Sequence, residues 1–473
     1  MPKEKRGFDA VIGNPPYIRI NRLVDCYPLE VRFIQSAYAS AAFGKVDIYV
    51  AFLERGLALL GPQGHMGFIV PNKFVQSDYG RGIRSVLADA GALTAIVYFW
   101  HAQVFAGATS YTCLVFLSHV ANTTFWAAMN ERAEPPRDFL RTAQMEELPE
   151  RRLGSAPWSL RGARQTAVLK KIEERGRPLA DLLDTAITGV KTGMNGVFAF
   201  DIIEDRGQTL LMRGEGSDQS VELERQFVRP YCKAESMKRY SFAPRERGML
   251  YHYRLHGDKT TLVPEAELRE VCPLTWQHLV RHKPALERRE SGKLAGQSWY
   301  GLSFASDLRM FNGPKLTTPT LAPFNSFAVD DSGCAFPQGA GGGCGMIPKE
   351  AVGVSCLLAV LNARLLTYYF QRISSCFQGG WFAYEPRYLS RIPICVPDST
   401  TANGRDLTEH LRQCADELTR ICRQVMAAQA PLAAESLMRE KVIWENRIDR
   451  RVYELYGLTD DEIALVEEST PPV

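Results

Sequence analysis

Residues 8–12, Phe-Asp-Ala-Val-Ile, are almost unbroken apolar and stop at Gly13, which predicts a strand covered on both faces in a parallel sheet. From Val46 to Leu60 the period changes. Tyr49, Phe52, Leu53, Leu57 and Leu60 fall at helical spacing, with Asp47 near the start and Gly61 just past the end, so a helix is expected. Gly61–Gly64 reads as a turn into a second apolar strand, His65–Val70, stopped by Pro71. Arg81–Gly91 reads as another helix, and Leu93–Trp100 and Tyr111–Val120 as two more strands. This alternation predicts half of a doubly wound α/β sheet that ends in an antiparallel strand pair.

Four regions follow from the pattern. Residues 1–126 hold the half-sheet, and 127–180 form a connector, including "ERAEPPRDF", with an amphipathic helix, "QTAVLKKIEERG". Residues 181–397 carry short β-like runs ("AITGV", "GVFAF", "NSFAV") broken by Gly, Pro and Asn, then the apolar helix "VSCLLAVLNARLLTYYF", which predicts an irregular α+β domain. Residues 398–473 are helical and charged, with a capping box at Thr459–Glu462.

Composition narrows the class. At 473 residues, 45% hydrophobic and 23% charged, the chain has the make-up of a globular protein with several domains. No apolar run is long enough to span a membrane and the N-terminus lacks a signal-peptide core, so a cytoplasmic, non-membrane protein is expected. The eleven cysteines include no C-x-x-C pair, which argues for free thiols in a reducing compartment. Two i, i+4 histidine pairs, His252 with His256 and His278 with His282, lack acidic or cysteine companions at ordered spacing, and no metal is expected. Net charge is only +3, so any nucleic-acid partner must be argued from where the charge sits.

The chemistry concentrates in Asn14-Pro15-Pro16-Tyr17, directly after the first strand. Two prolines fix the backbone, so the Asn14 amide oxygen and the Pro15 carbonyl can converge on one exocyclic NH2 group. Accepting both of its hydrogens pulls the nitrogen toward tetrahedral geometry and frees its lone pair for attack. Tyr17 would lie against a flat ring. The alternative is a proline turn closing a strand, with Asn as its cap.

Asn-Pro-Pro-Tyr after a strand resembles the catalytic motif of amino-group methyltransferases, chiefly those that make N6-methyladenine in DNA. "DIYVAFLERGLALLGPQGHMGFIVPNKF" and "HAQVFAGATSYTCLVFL" resemble the stretches that follow it in type IIG restriction-modification methyltransferases of the TaqI-like group. The resemblance implies a class I methyltransferase sheet, S-adenosylmethionine as cofactor and double-stranded DNA as substrate. Phe105 takes the family's base-stacking position, so Tyr17 and Phe105 would sandwich a flipped adenine. Such an aromatic pair suits the task, because extruding a base costs a few kcal/mol and stacking returns roughly 1 to 3 kcal/mol per base.

Segments 187–200 and 310–333, "LLAVLNARLLTYYF" and "WFAYEPRYLSRIPI" resemble the TaqI-like target-recognition domain, in that family's order. Between Arg225 and Arg254, Arg229, Lys233, Lys238, Arg239, Arg245 and Arg247 interleave with Tyr231, Tyr240, Phe242 and Tyr251. Such a stretch can meet phosphates with charge and bases with flat faces, or be a solvated basic surface. Arg229, Lys233, Lys238 and Arg239, with Lys315, are the candidate DNA contacts.

The family's cofactor loop is expected before Asn-Pro-Pro-Tyr. The glycine run "FPQGAGGGCGMIP" at 336–348 follows no apolar strand and leads into Pro348, so it reads as a turn instead. The cofactor-binding half is therefore expected on a separate chain or a missing segment, docked on the unpaired edge of the first strand. The first reading is a site-specific DNA adenine-N6 methyltransferase of a restriction-modification system. A non-catalytic DNA specificity module or gene remnant is the alternative, and methylation of RNA or of a protein glutamine shares the tetrapeptide.

Overall fold

The computed structural model describes residues 7–472 except 43, 45, 100–103, 106–110, 121–122, 129–142, 149–152, 159, 161, 258, 297, 312, 350–352, 378 and 429. The chain divides into two compact units, residues 1–166 and 167–473.

The first unit is built on a six-stranded sheet. In chain order its strands are β1 (Phe8–Gly13), β2 (Leu60–Pro71), β3 (Leu93–Tyr98), β4 (Thr112–Ser118), β5 (Thr124–Ala128) and β6 (Glu146–Leu148), and they lie side by side as β1-β2-β4-β3-β5-β6. β1 runs parallel to β2, while β4 is antiparallel to both β2 and β3. The antiparallel pairing expected at the end of the sheet is thus inserted in its middle. Helices α1 (Pro28–Ala37), α2 (Tyr49–Leu59) and α3 (Arg81–Asp89) complete the unit. Tyr49, Leu53 and Leu57 of α2, Ile83 and Leu87 of α3, and Met66, Phe68 and Val70 of β2 share one core.

Three expectations change here. The "GPQG" run is not a turn but the start of β2, where the pairing jumps from Phe8↔Leu60 to Ala10↔His65. Gly64 sits so close to β1 that a Cβ would lie 2.4 Å from the Phe8 carbonyl oxygen, so the bulge admits only glycine. Second, β1 is an edge: Phe8 is 60% and Ile12 89% exposed, against the expected cover on both faces. Third, the sheet does not stop at residue 126. Among the described residues of the expected connector, Ala127 and Leu148 are sheet residues and Trp158 and Leu160 join the core, whereas "ERAEPPRDF" lies outside the described residues.

The second unit has two cores. One is formed by an antiparallel five-stranded sheet and the helices beside it, and includes Phe198, Phe200, Met212, Tyr251, Trp276 and Trp299. The other centres on β7 (Leu183–Thr188), β8 (Lys315–Pro319), β9 (Ala328–Asp330) and β10 (Gly343–Pro348), an antiparallel sheet ordered β9-β8-β10-β7. Helices α4 (Val354–Asn362), α5 (Arg364–Ile373), α6 (Ala402–Ala427), α7 (Pro431–Tyr456) and α8 (Asp460–Ser469) pack into this second core. Residues 398–473 are therefore part of the same core as β8 and α5, not a separate region. The single helix expected over 354–370 breaks at Ala363, where the backbone is extended and the Asp449 carboxylate of α7 accepts from Arg364 N at 2.7 Å, capping α5. The capping box at Thr459 and Glu462 forms as expected.

One histidine of each pair, His252 and His278, is a core residue, while His256 is exposed and His282 half-buried. His252 lies between Phe198 and Tyr300, near-parallel to both rings, with Nε2 3.0 Å from the Tyr300 carbonyl oxygen, and His278 Nε2 is 3.0 Å from the Val197 carbonyl oxygen. Burial holds both imidazoles near pKa 4. A depressed folded pKa contributes stability that is complete above about pH 6.5 and is lost as pH falls toward 4. His252→Phe is expected to flatten this loss by on the order of 2 kcal/mol between pH 6.5 and 4.5, read as the difference in urea-unfolding free energy between variant and wild type. Parallel pH profiles would exclude the role.

Candidate active site

β1, β2 and β3 run in one direction, so their C-terminal ends meet at one end of the sheet. Gly13 pairs with Phe68 near the end of β2, and Val70 of β2 and Tyr98 of β3 flank Cys113 at the start of β4. The loops after β1, β2 and β3 therefore open together, where ligands of open α/β sheets bind.

The loop after β1 carries Asn14, Pro15, Pro16 and Tyr17. Gly13 has no room for a side chain, since a Cβ would lie 2.9 Å from the Phe68 ring. Pro15 is buried while Asn14 and Pro16 are exposed, so the turn is anchored by one proline and presents the amide to solvent. Beyond it the chain is clamped to the segment before α2: Ile20 N donates to the Val46 carbonyl at 2.9 Å and Ile48 N to the Ile18 carbonyl at 2.9 Å. The loop is thus held on both sides.

Tyr17 is oriented by two contacts. Its hydroxyl donates to the Ile69 carbonyl at 3.0 Å, and its ring meets Tyr49 edge-to-face, with centroids 6.4 Å apart. Burial pushes its phenol up to about 12, so it stays neutral. Behind it the Tyr49 and Tyr79 hydroxyls are 3.0 Å apart, and Tyr79 hydrogen-bonds Asp47. Burial raises the Asp47 pKa, opposed chiefly by Arg19 and then Lys73. Asp47, read from sequence as a helix start, instead anchors a buried polar chain that ends under Tyr17.

Phe105 stands in the loop between β3 and β4, at the same end of the sheet, 37% exposed. Its neighbours 101–103 and 106–110 lie outside the described residues. This end of the sheet thus presents an exposed amide, a neutral anchored phenol and an exposed phenyl ring. No charged acid or base is among them.

The candidate DNA contacts divide. Lys238 is exposed, Arg229 is half-buried, and Lys233 pairs with Glu215. Lys315 and Arg239 are corrected from surface cations to structural ones. Lys315 is 0% exposed and its ammonium is 2.5 Å from the Asp330 carboxylate, because every residue of β8 is covered and its polar side chains have no solvent face. Arg239 is buried with Nε 2.7 Å from Glu445 Oε1, held by α7. The interleaved aromatics are also inward: Tyr231, Tyr240 and Tyr251 are core residues. Among the aromatic side chains this unit exposes are Phe304, Phe377 and Trp381, none of them singled out from sequence, although the glycine pair in "FQGGWF" marks a hairpin tip.

The glycine run does not fit a cofactor loop. It turns at Gly339, with φ +96°, into strand β10 rather than a helix, and a Cβ at Gly342 would lie 1.6 Å from the Pro337 carbonyl oxygen. That backbone packs against itself in a turn that leads into a strand. Among the described residues no cluster of His, Cys, Asp and Glu is placed to hold a metal ion, and no helix is long and apolar enough to cross a membrane.

Residues 2–105 match the family described as Eco57I restriction-modification methylase. The chain is 22% identical over 492 residues to the type II restriction enzyme and methyltransferase RM.Eco57I of Escherichia coli, covering 98% of this chain and 48% of that protein, so it spans about half the length of this relative. It is 23% identical to the type II methyltransferase M.PaeR7I of Pseudomonas aeruginosa, covering 96% of this chain and 71% of that protein. Among solved structures, the type IIL restriction-modification enzyme MmeI in complex with DNA superimposes with a TM-score of 0.59 over 97% of this chain and 56% of that one, at 12% identity. From the sheet of the first unit to the helices of the second, the chain is similar in sequence to type II methyltransferases and shares its fold with the type IIL restriction-modification enzyme MmeI.

Proposed function

We propose that the chain is the base-gripping and DNA-recognising part of a site-specific DNA adenine-N6 methyltransferase that uses S-adenosylmethionine. The observation that carries this reading is the loop after β1, in which an exposed Asn14 amide follows a sheet end and precedes a Tyr17 ring fixed by Ile69 and Tyr49. Asn14 Oδ1 and the Pro15 carbonyl accept the two hydrogens of the target amine and hold its nitrogen lone pair outward. Tyr17 and Phe105 cover the two faces of the extruded adenine. The amine would attack as a neutral nucleophile and release one proton to solvent as the N–C bond forms, so no ionised residue need deprotonate it first.

S-adenosylmethionine would supply the methyl group, and the glycine run, which leads into a strand, is not assigned as its loop. β1 hydrogen-bonds β2 on one side only, and its other edge, with Phe8 and Ile12, is open. An open apolar edge calls for cover. We propose that further strands, from the same protein or a partner chain, pair with β1 and hold the cofactor. The second unit recognises double-stranded DNA, with Arg229, Lys233 and Lys238 as contacts.

The test is nucleoside analysis of DNA from cells expressing the intact locus. N6-methyladenine at one recurring sequence is the expected result. Methylation of cytosine, or of RNA or a protein glutamine with none in DNA, overturns the reading.

A further inference from the structure

The end of the first unit's sheet that carries Asn14 also carries three exposed cations that nothing above employs, Arg19, Arg22 and Lys73. Arg19 and Arg22 follow Tyr17 closely, the second closing the short helical turn Ile20–Arg22. Lys73 lies in the turn Asn72–Val75, just past the end of β2. The two segments are tied together by the Tyr17 hydroxyl, which donates to the Ile69 carbonyl shortly before that turn.

Asp47 shows how near the cations come to one another. Arg19 stands directly opposite it across an antiparallel bridge, between the bonds from Ile20 N to the Val46 carbonyl and from Ile48 N to the Ile18 carbonyl, so the two side chains leave on one face. Burial raises the Asp47 pKa, and Arg19, Lys73 and Arg22, in that order, are the cations that oppose the rise. All three charges therefore lie within reach of one carboxylate, though they come from two loops.

The charge does not cancel. Asp47 can neutralise one cation at most, and its carboxylate also accepts from Tyr79. Among the described residues none of the three side chains makes an ion pair or a hydrogen bond, with Asp47, with Asp25 or with Asp78. Even with Asp47 fully ionised, the group keeps an excess of positive charge beside the loop that grips the base. A base swung out of a duplex stays tied to its strand through a phosphate on each side, so whatever holds the base brings two anions with it. Contacts to those phosphates fix position without reading sequence.

We propose that Arg19, Arg22 and Lys73 bind the phosphates on either side of the extruded adenine and hold its strand in the flipped-out path. The inference rests on the reading that the chain acts on a DNA base at Asn14. It adds a DNA contact on the first unit to Arg229, Lys233 and Lys238 of the second.

The test is a binding titration of the intact protein with target duplex over a range of salt. Arg22→Gln and Lys73→Gln are each expected to lower the slope of log affinity against log salt by about 1, and the affinity by about tenfold at roughly 0.1 M salt, while Lys73→Arg keeps both. Arg19 faces Asp47 and is left in place. Duplexes with a neutral methylphosphonate on each side of the target adenine should bind the wild type as weakly as the double variant Arg22→Gln/Lys73→Gln binds normal DNA, and should bind that variant no more weakly still. Additive losses, or unchanged slopes, overturn the inference and leave the DNA reading standing. Weakened binding of S-adenosylmethionine with unchanged binding of DNA gives the cations to the cofactor's carboxylate and overturns it as well. An intact protein that binds no DNA overturns the DNA reading with it.

Discussion

Replacing Asn14 by alanine is expected to lower kcat for methyl transfer by about a hundred- to a thousandfold in the assembled enzyme, the scale seen when one preorganised polar contact to a reacting atom is removed. The affinity for DNA should be nearly unchanged. The asymmetry follows from the geometry: Asn14 is exposed at the tip of its loop, and its side chain is absent from the core that supports the sheet. In the proposed role its interaction with the amine strengthens only as the nitrogen becomes tetrahedral, so the effect is expected in the chemical step. Single-turnover kinetics beside a binding titration separate the two effects. Equal losses in rate and affinity would assign Asn14 to binding and remove it from the chemistry.

Lys315→Met is expected to destabilise the second unit by about 3 to 5 kcal/mol, the cost of leaving a buried charge without its partner. The charge left behind is Asp330, which is fully buried and also accepts from Ser332 N at 2.9 Å and Cys334 N at 3.0 Å. Those two donors hold the carboxylate in place, so it cannot turn to solvent when the ammonium goes. Urea unfolding gives the number directly. A loss below about 1 kcal/mol would mean that the pair is solvated and that Lys315 is free for a phosphate, as first expected.

Lys315 illustrates what the chain's pattern conceals. In Lys-Leu-Thr-Thr-Pro nothing distinguishes a lysine facing DNA from one facing Asp330, fifteen positions on, because the partner is fixed by the pairing of β8 with β9. Tyr231, Tyr240 and Tyr251 mislead in the same way: each lies outside the named strands, Tyr240 in a turn with φ +60°, and is buried by contacts distant in the chain. By contrast, the strand that ends at Gly13 and the helix over 49–59 are legible from their periodicity, although Asp47 does not cap that helix and the helix Pro28–Ala37 goes unforeseen. Local causes also predict the capping box at Thr459 and the strands at 65–70 and 93–98. The insertion of β4 between β2 and β3 is a long-range choice, and so is the addition of β5 and β6 beyond the expected boundary. The Asp47 network under Tyr17 depends on Tyr79, thirty-two positions away, and leaves no mark in either segment.

The carboxylate of Asp449 that starts helix α5 sets a condition on how specificity could be transplanted. Because α7 supplies that cap, and also the Glu445 partner of Arg239, the hydrophobic interior around α5 is completed only by residues beyond 397. A cassette cut at the ends of the apparent recognition segment, 181 and 397, would carry an uncapped helix and a buried guanidinium with no counter-ion. The span that folds as one therefore includes the helix Ala163–Arg175, which adds Val168, Leu169 and Ile172 to the same interior, so under the proposed function an exchange of specificity should place its crossover before that helix rather than on either side of α6.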